Sequence, residues 1–139
     1  MSRQALSHVE MEIASEDDVV LVRREVRTLA EQHGFDSFAT AAITTAASEL
    51  ARNVWVHANG GTAVVEAIDG DGRMGIKLCF CDDGPGISDV DRVMRGGFST
   101  AKSLGLGLSG SKRLVDEFDL ETTPGKGTVV TILKWKRIL

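Results

Sequence analysis

Residues 62–86 read TAVVEAIDGDGRMGIKLCFCDDGPG, and the fold class turns on how this stretch is joined to itself. Thr62 to Ile68 and Met74 to Cys81 are largely apolar runs, the first rich in β-branched residues and the second nearly all apolar on one side. Only the turn Asp69-Gly70-Asp71-Gly72 and Arg73 separate them. A link that short and glycine-rich makes an antiparallel hairpin, because parallel neighbours need a crossover of roughly a dozen residues or more. The second run then empties into Asp82-Asp83-Gly84-Pro85-Gly86, an acidic loop coming straight off a buried strand.

Working outward, the alternation of Leu6, His8, Glu10 and Glu12 against Val9, Met11 and Ile13 predicts a first strand with one wet face. Ser15-Glu16-Asp17-Asp18 is a capping box before the period Val19, Val22, Val26, Leu29, closed by Gly34, which predicts a helix over residues 16–33. Ile43, Ala46, Ala47, Leu50 and Val54 repeat at three and four, predicting a second helix over 37–57 that stops at Asn59-Gly60-Gly61. Beyond the hairpin come a short helix around 90–95, a small polar stretch at 96–103, and a third long helix. That helix is expected from Leu108 through Ser111, Leu114, Val115 and Phe118, its start abutting Gly105-Leu106-Gly107. Two last strands, near 120–123 and 128–135, flank the turn Pro124-Gly125-Lys126-Gly127. Hairpins stand where a dinucleotide-binding fold would have crossovers. The expectation is therefore an α+β two-layer sandwich, with helices on one face of a mixed, mainly antiparallel sheet, as a single domain over residues 1–139.

Composition narrows the function classes. The chain has 16 basic and 20 acidic residues, a net charge of −4 and no basic tract, which argues against a nucleic acid or an anionic membrane as the main partner. No apolar run approaches a membrane span, and Met1-Ser2-Arg3-Gln4 does not lead into a signal-peptide core, so a cytoplasmic location is expected. Cys79 and Cys81 share one face of their strand, too close to bridge comfortably, and read as small buried hydrophobes in a reducing compartment. Glycine stands out: 15 of 139 residues, about 11% against a usual ~7%, and 14 of them lie after Asn59.

Several of those glycines suggest an anion cradle. Gly105-Leu106-Gly107-Leu108-Ser109-Gly110 matches G-x-G-x-x-G, but a polar loop precedes it where a dinucleotide site needs a buried strand. Gly96 to Ser103 resembles a phosphate-binding loop, with Ala101 where its second glycine belongs. What remains is common to both: glycines before a helix let backbone N–H groups approach an anion, which the helix's positive end favours. Asp82 at a strand's end suits a nucleobase amino group, and Gly86 would let a flat ring near the backbone. Glu49 and Asn53, four apart, project from the same side of the second helix. An amide oxygen there can ligate Mg²⁺, and a carboxylate one turn away can accept a hydroxyl proton.

Taken in order, Glu49-Leu50-Ala51-Arg52-Asn53, Asp82-Asp83-Gly84-Pro85-Gly86-Ile87, Gly97-Phe98-Ser99-Thr100, Gly105-Leu106-Gly107-Leu108 and Gly127-Thr128 resemble the nucleotide-binding boxes, lid and terminal Gly-Thr of the GHKL (Bergerat-fold) ATPases. With Lys112-Arg113-Leu114-Val115-Asp116-Glu117-Phe118 and the closing Lys134-Trp135, the wording is most similar to the anti-sigma-factor serine/threonine kinases, within them the RsbT-like stressosome switch kinases. The resemblance spans essentially the whole chain. It implies ATP and Mg²⁺ as cofactors, with Asn53 as the metal ligand and Glu49 as general base toward a partner's serine or threonine. It further implies that Asp82 binds the adenine amino group, that Gly84, Gly86, Ile87 and Thr128 complete the base pocket, and that Ser99 and Thr100 belong to the lid. Gly105, Leu106, Gly107 and Leu108 would hold phosphates through their backbone. The family's basic side chain before the second glycine box is replaced by Ser103 and Leu104, leaving Lys102 as the nearest cation. Implied partners are a STAS-domain substrate (RsbS-like or RsbR-like) and a PP2C-type phosphatase (RsbU-like). The alternatives carried are an anti-sigma factor that binds sigma directly, and an ATP-gated binding module without transfer.

Overall fold

The computed structural model describes residues 2–95 and 101–137, with 101–106 described by their backbone course. Its elements run β1 (Arg3–Ile13), α1 (Glu16–Gln32), α2 (Ser37–Ala58), β2 (Gly61–Gly70), β3 (Arg73–Asp82), α3 (Val90–Met94), α4 (Ala101–Leu114), β4 (Glu117–Thr123) and β5 (Gly127–Trp135). The strands form a five-stranded sheet in the order β1-β2-β3-β5-β4. Every pairing is antiparallel, so the sheet is the purely antiparallel case of the expected sandwich.

Local chemistry sets the elements as the sequence predicts. Ser15 and Asp18 cap α1 reciprocally: Asp18 N–H donates to Ser15 Oγ at 3.3 Å, and Ala14 N–H donates to Asp18 Oδ2 at 2.8 Å. Asp36 caps α2 by accepting from Ala39 N–H at 2.7 Å, and Asn59, left-handed at φ 63°, ends it. The β2–β3 hairpin closes through Asp71 and Gly72, both at positive φ, as a two-residue turn whose twist matches its strands requires.

The core lies between the helices and one sheet face. Val22, Val26, Ile43, Ala47 and Leu50 from α1 and α2 meet Val65, Ile76, Leu78, Phe80 and Ile132 from the strands, all at most 1% exposed. Full burial of each large aliphatic side chain contributes about 1.5–3 kcal/mol. On the opposite face Trp135 lies across Gly70 and Gly75, with Ile68 and Leu133 beside it. A Cβ at Gly75 would sit 2.9 Å from the Trp135 ring, so glycine makes the slot for the indole. The Arg3 and Arg73 guanidinium groups stack on that ring at 5.3 and 5.1 Å from its centroid.

Two expectations are corrected at the third long helix. It starts at Ala101, ahead of the glycines, and ends at Leu114; Phe118 belongs to β4. The spacing Ser111, Leu114, Val115, Phe118 imitates a helical face. Across 117–123, however, Phe118, Leu120 and Thr122 are half-buried while Glu117, Asp119, Glu121 and Thr123 are exposed, which is a strand's period of two. Among the described residues no helix is long and apolar enough to cross a membrane.

Candidate functional site

One end of the sheet gathers most of the residues singled out by the sequence. Glu49 and Asn53 stand one turn apart on α2, both half-buried beside the core residues Leu50, Ala51 and Val54. Asn53 is pressed against α4: a Cβ at Gly107 would lie 2.9 Å from its Nδ2 and 3.1 Å from its Oδ1. Only glycine admits that approach, and Ser111 Oγ secures the same turn by donating to the Gly107 carbonyl at 2.7 Å. The neighbouring Leu108 anchors α4 in the core at 2% exposure. Among the described residues Asn53 Nδ2 is nonetheless a buried donor without a hydrogen-bond partner, and buried His57 Nε2 one turn further on also lacks one. A buried polar atom left unpaired costs free energy, so these atoms mark a place that a polar ligand would complete. Burial also holds the His57 pKa below its ordinary value, favouring the neutral ring.

Asp82 is the last residue of β3 and faces Thr128, the second residue of β5, in the strand register. Its carboxylate Oδ1 accepts from Gly84 N–H at 3.0 Å. Partial burial pushes the Asp82 pKa above the usual carboxylate value; the backbone amides of Gly84 and Thr128 oppose the shift, and the charge of Asp83 adds to it. The loop that follows is fixed on three sides. Gly84 sits on Ala58 at the end of α2, where a Cβ would come within 2.6 Å of the alanine methyl. Gly86 adopts φ +72° and passes so close to the Thr123 carbonyl that a Cβ there would collide with it. Pro85 accepts from Gly125 N–H at 2.7 Å.

Thr122 ties these pieces together. Its Oγ1 accepts from Ile87 N–H at 2.9 Å, donates to the Gly127 carbonyl at 3.1 Å and lies 3.0 Å from Thr128 Oγ1. Sequence reasoning placed Thr122 on a strand near 120–123 but missed its role; its alternation with Phe118 and Leu120 was cut short once Phe118 was read as helix. Gly127, at φ +122°, lets β5 start against the Asp82 carbonyl.

Asn53 and Gly107 are thus brought together, as are Asp82, Gly84, Gly86, Ile87 and Thr128. Glu49 opens instead on a groove of about 560 Å³ between α1 and α2, shared with Arg23, Arg27, Thr44 and Ser48. Lys102, Gly105 and Leu106 fall on α4, whose backbone alone is described there, and Ser99 and Thr100 lie outside the described residues. Because α4 begins at Ala101, the amides of Gly105 to Leu108 are inside the helix, and its free N–H end precedes them. No group of three or more metal-ligating side chains occurs among the described residues. Mg²⁺ fits such a donor set, since it takes one or two protein oxygens and completes its shell with phosphates and water.

Comparison with known proteins follows the same lines. Residues 13–134 match the histidine kinase-like ATPase domain. The chain is 45% identical over 125 residues to the serine/threonine-protein kinase RsbT of Bacillus subtilis, covering 90% of this chain and 94% of that one. It is 35% identical over 99 residues to the anti-sigma F factor of Caldanaerobacter subterraneus, covering 67% and 68%. Among solved structures, the RsbU and RsbW domains of Rv1364c from Mycobacterium tuberculosis share the fold at a TM-score of 0.65 and 20% identity. That match covers 99% of this chain and about a third (34%) of the other. The structure of the SiaB–SiaC complex from Pseudomonas aeruginosa aligns at a TM-score of 0.57 and 13% identity, covering 94% and 90%.

Proposed function

The chain belongs to the histidine kinase-like ATPase domain family, and on that premise we propose that it is an ATP- and Mg²⁺-dependent protein serine/threonine kinase of a partner-switching stress-response pathway. Its substrate in this reading is a STAS-domain protein, and the partner it turns to after transfer is a PP2C-type phosphatase. The observation that carries the proposal is the 45% identity to a serine/threonine-protein kinase over nearly the full length of both chains. The contact of Asn53 with Gly107 and the register of Asp82 on Thr128 support it.

The chemistry follows from the residues. Asp82 accepts from the adenine amino group, and the left-handed Gly86 with the Thr122–Thr128 pair shapes the base pocket. The first turn of α4, ahead of Gly105, would offer its free N–H groups to the phosphates. Asn53 Oδ1 is the side-chain ligand for Mg²⁺, which when bound neutralises charge building on the phosphate oxygens. Glu49, one turn before, takes the proton from the acceptor hydroxyl as its oxygen attacks the γ-phosphorus, and the bond from that phosphorus to the bridging oxygen breaks, releasing ADP. Phosphoryl transfer asks a protein mainly for positioning and charge neutralisation, so a chain of net charge −4 can perform it.

Incubating the protein with Mg·ATP and a STAS-domain protein, then mapping phosphate by mass spectrometry, tests the reading. Phosphoserine or phosphothreonine on the STAS protein supports it. Nucleotide-dependent retention of a sigma factor without any transfer would instead favour direct anti-sigma action, the reading to which the anti-sigma F relatives point.

A further inference from the structure

Cys79 and Cys81 take no part in the chemistry above, yet they end one residue from it. Leu78 and Phe80 point into the helix-covered core at 0% and 1% exposure, so the alternation of β3 turns both cysteines to the opposite face. Both thiols are free and half-exposed. Their sulfurs are in contact at 3.7 Å, and Thr131 Oγ1 donates to Cys79 Sγ at 3.7 Å. Cross-strand neighbours are short: Val64 and Thr131 beside Cys79, Thr62 and Val129 beside Cys81. A small solute can therefore reach either sulfur.

We infer that Cys79 and Cys81 form a redox-sensitive dithiol, which a peroxide-class oxidant closes into a disulfide, weakening nucleotide binding at the adjoining Asp82. The Cys79 sulfur attacks one peroxide oxygen as its thiol gives up its proton; an S–O bond forms, the O–O bond breaks, and the departing oxygen takes up that proton and leaves as water. The Cys81 sulfur then attacks the sulfenic sulfur; an S–S bond forms, the S–O bond breaks, and the hydroxyl leaves as a second water with the Cys81 proton. Two thiols are oxidised and one peroxide is reduced to two waters. Cys81 is pushed up to about 11, first by burial, then by its contact with Cys79 and the negative charges of Asp82 and Asp83. Low thiol acidity slows the reaction, so the pair responds to an oxidant pulse rather than to background.

The link to nucleotide rests on the ATP-binding reading above. The sequence expectation that the two cysteines are too close to bridge is corrected by the strand's geometry: residues two apart on a strand have Cα atoms about 6.7 Å apart, whereas disulfides favour about 5.5–6 Å. Closing the bond therefore shortens β3 across Phe80 by roughly 1 Å and draws Asp82 back from its place opposite Thr128. A bond strained in this way is also readily reduced, which makes the change reversible by ordinary thiols.

The reduced full chain is treated with hydrogen peroxide, quenched, alkylated and peptide-mapped, with ATP affinity measured before and after. The peptide holding both cysteines should lose two hydrogen atoms and take up no alkylating agent. ATP affinity should fall by about tenfold, as the loss of one hydrogen bond to a charged acceptor implies, and both changes should revert with dithiothreitol. Cys79→Ser and Cys81→Ser should each abolish the link. The double variant should keep its ATP affinity through peroxide, which separates the effect from oxidation of the four methionines. Two alkylated cysteines after peroxide, or a linked protein with unchanged ATP affinity, would overturn the inference. A reduced protein that binds no ATP would defeat the nucleotide reading and the coupling with it, while the peptide map still judges the dithiol alone.

Discussion

Gly107→Ala separates the stability of the fold from the function of the site. Glycine inside a helix is about 1 kcal/mol less favourable than alanine, so the substitution stabilises α4 by that amount before contacts are counted. Against this, the new methyl would lie 2.9 Å from Asn53 Nδ2 and 3.1 Å from Oδ1. Ordinary heavy-atom contact begins near 3.5 Å, so the amide must retreat by about 0.6 Å or more. Leaving a preferred rotamer costs about 0.5–1.5 kcal/mol, which cancels the helical gain to within about 1 kcal/mol. Thermal unfolding should therefore shift by no more than a few degrees. Binding should respond differently, because the displaced amide is the proposed Mg²⁺ ligand. Calorimetric ATP titrations with Mg²⁺ and with chelator should show Mg²⁺-dependent affinity reduced about 10- to 100-fold, with the Mg²⁺-independent part nearly unchanged. A folded Gly107→Ala protein with wild-type Mg·ATP affinity would refute the placement of the metal at Asn53.

Two further outcomes are expected. Thr122→Val removes the acceptor for Ile87 N–H and the bonds to Gly127 and Thr128, and should cost about 2 kcal/mol, lowering the unfolding midpoint by about 4–8 °C; an unchanged midpoint would deny Thr122 its linking role. Asp82 has its pKa raised by burial, so the proton is favoured in the folded apo protein: its contribution to stability is full below the ordinary aspartate value and is lost as pH rises through the raised one. ATP needs the ionised acceptor, so calorimetric affinity should decline on acidification at a higher pH than an ordinary aspartate would give, and Asp82→Asn should weaken binding and remove that pH dependence.

The hairpin within residues 62–86, the first two long helices and the N-terminal cap of the first were legible because each rests on short-range chemistry: an Asp-Gly turn, a capping box, an apolar stripe; the Asp36 cap of the second was not read. The end of the third long helix was not, since Ser111, Leu114, Val115 and Phe118, all buried or half-buried, fit one helical face, whereas the helix stops at Leu114 and the pairing of Phe118 with Ile132 puts Phe118 in a strand. Its start was hidden for another reason. Glycines at 105 and 107 read as a break, whereas Gly107 is required by the Asn53 side chain, 54 positions away in sequence, a contact that no local pattern encodes. Gly75 is similar: it serves the Trp135 ring across the sheet. Asp82 and Thr128 were both singled out by the family resemblance and the structure sets them opposite each other, but the Thr122 hydroxyl beside Thr128 needed the register of β4 on β5.

Glu49 tests the central claim most directly, because a base is needed for transfer and not for nucleotide binding. Phosphate transfer from Mg·ATP to a STAS-domain protein should be measured for wild type and Glu49→Ala, alongside ATP affinity for both. Loss of transfer by about 10²- to 10⁴-fold with affinity kept within about twofold is the predicted result. Equal phosphorylation of the STAS protein by the two proteins would contradict it.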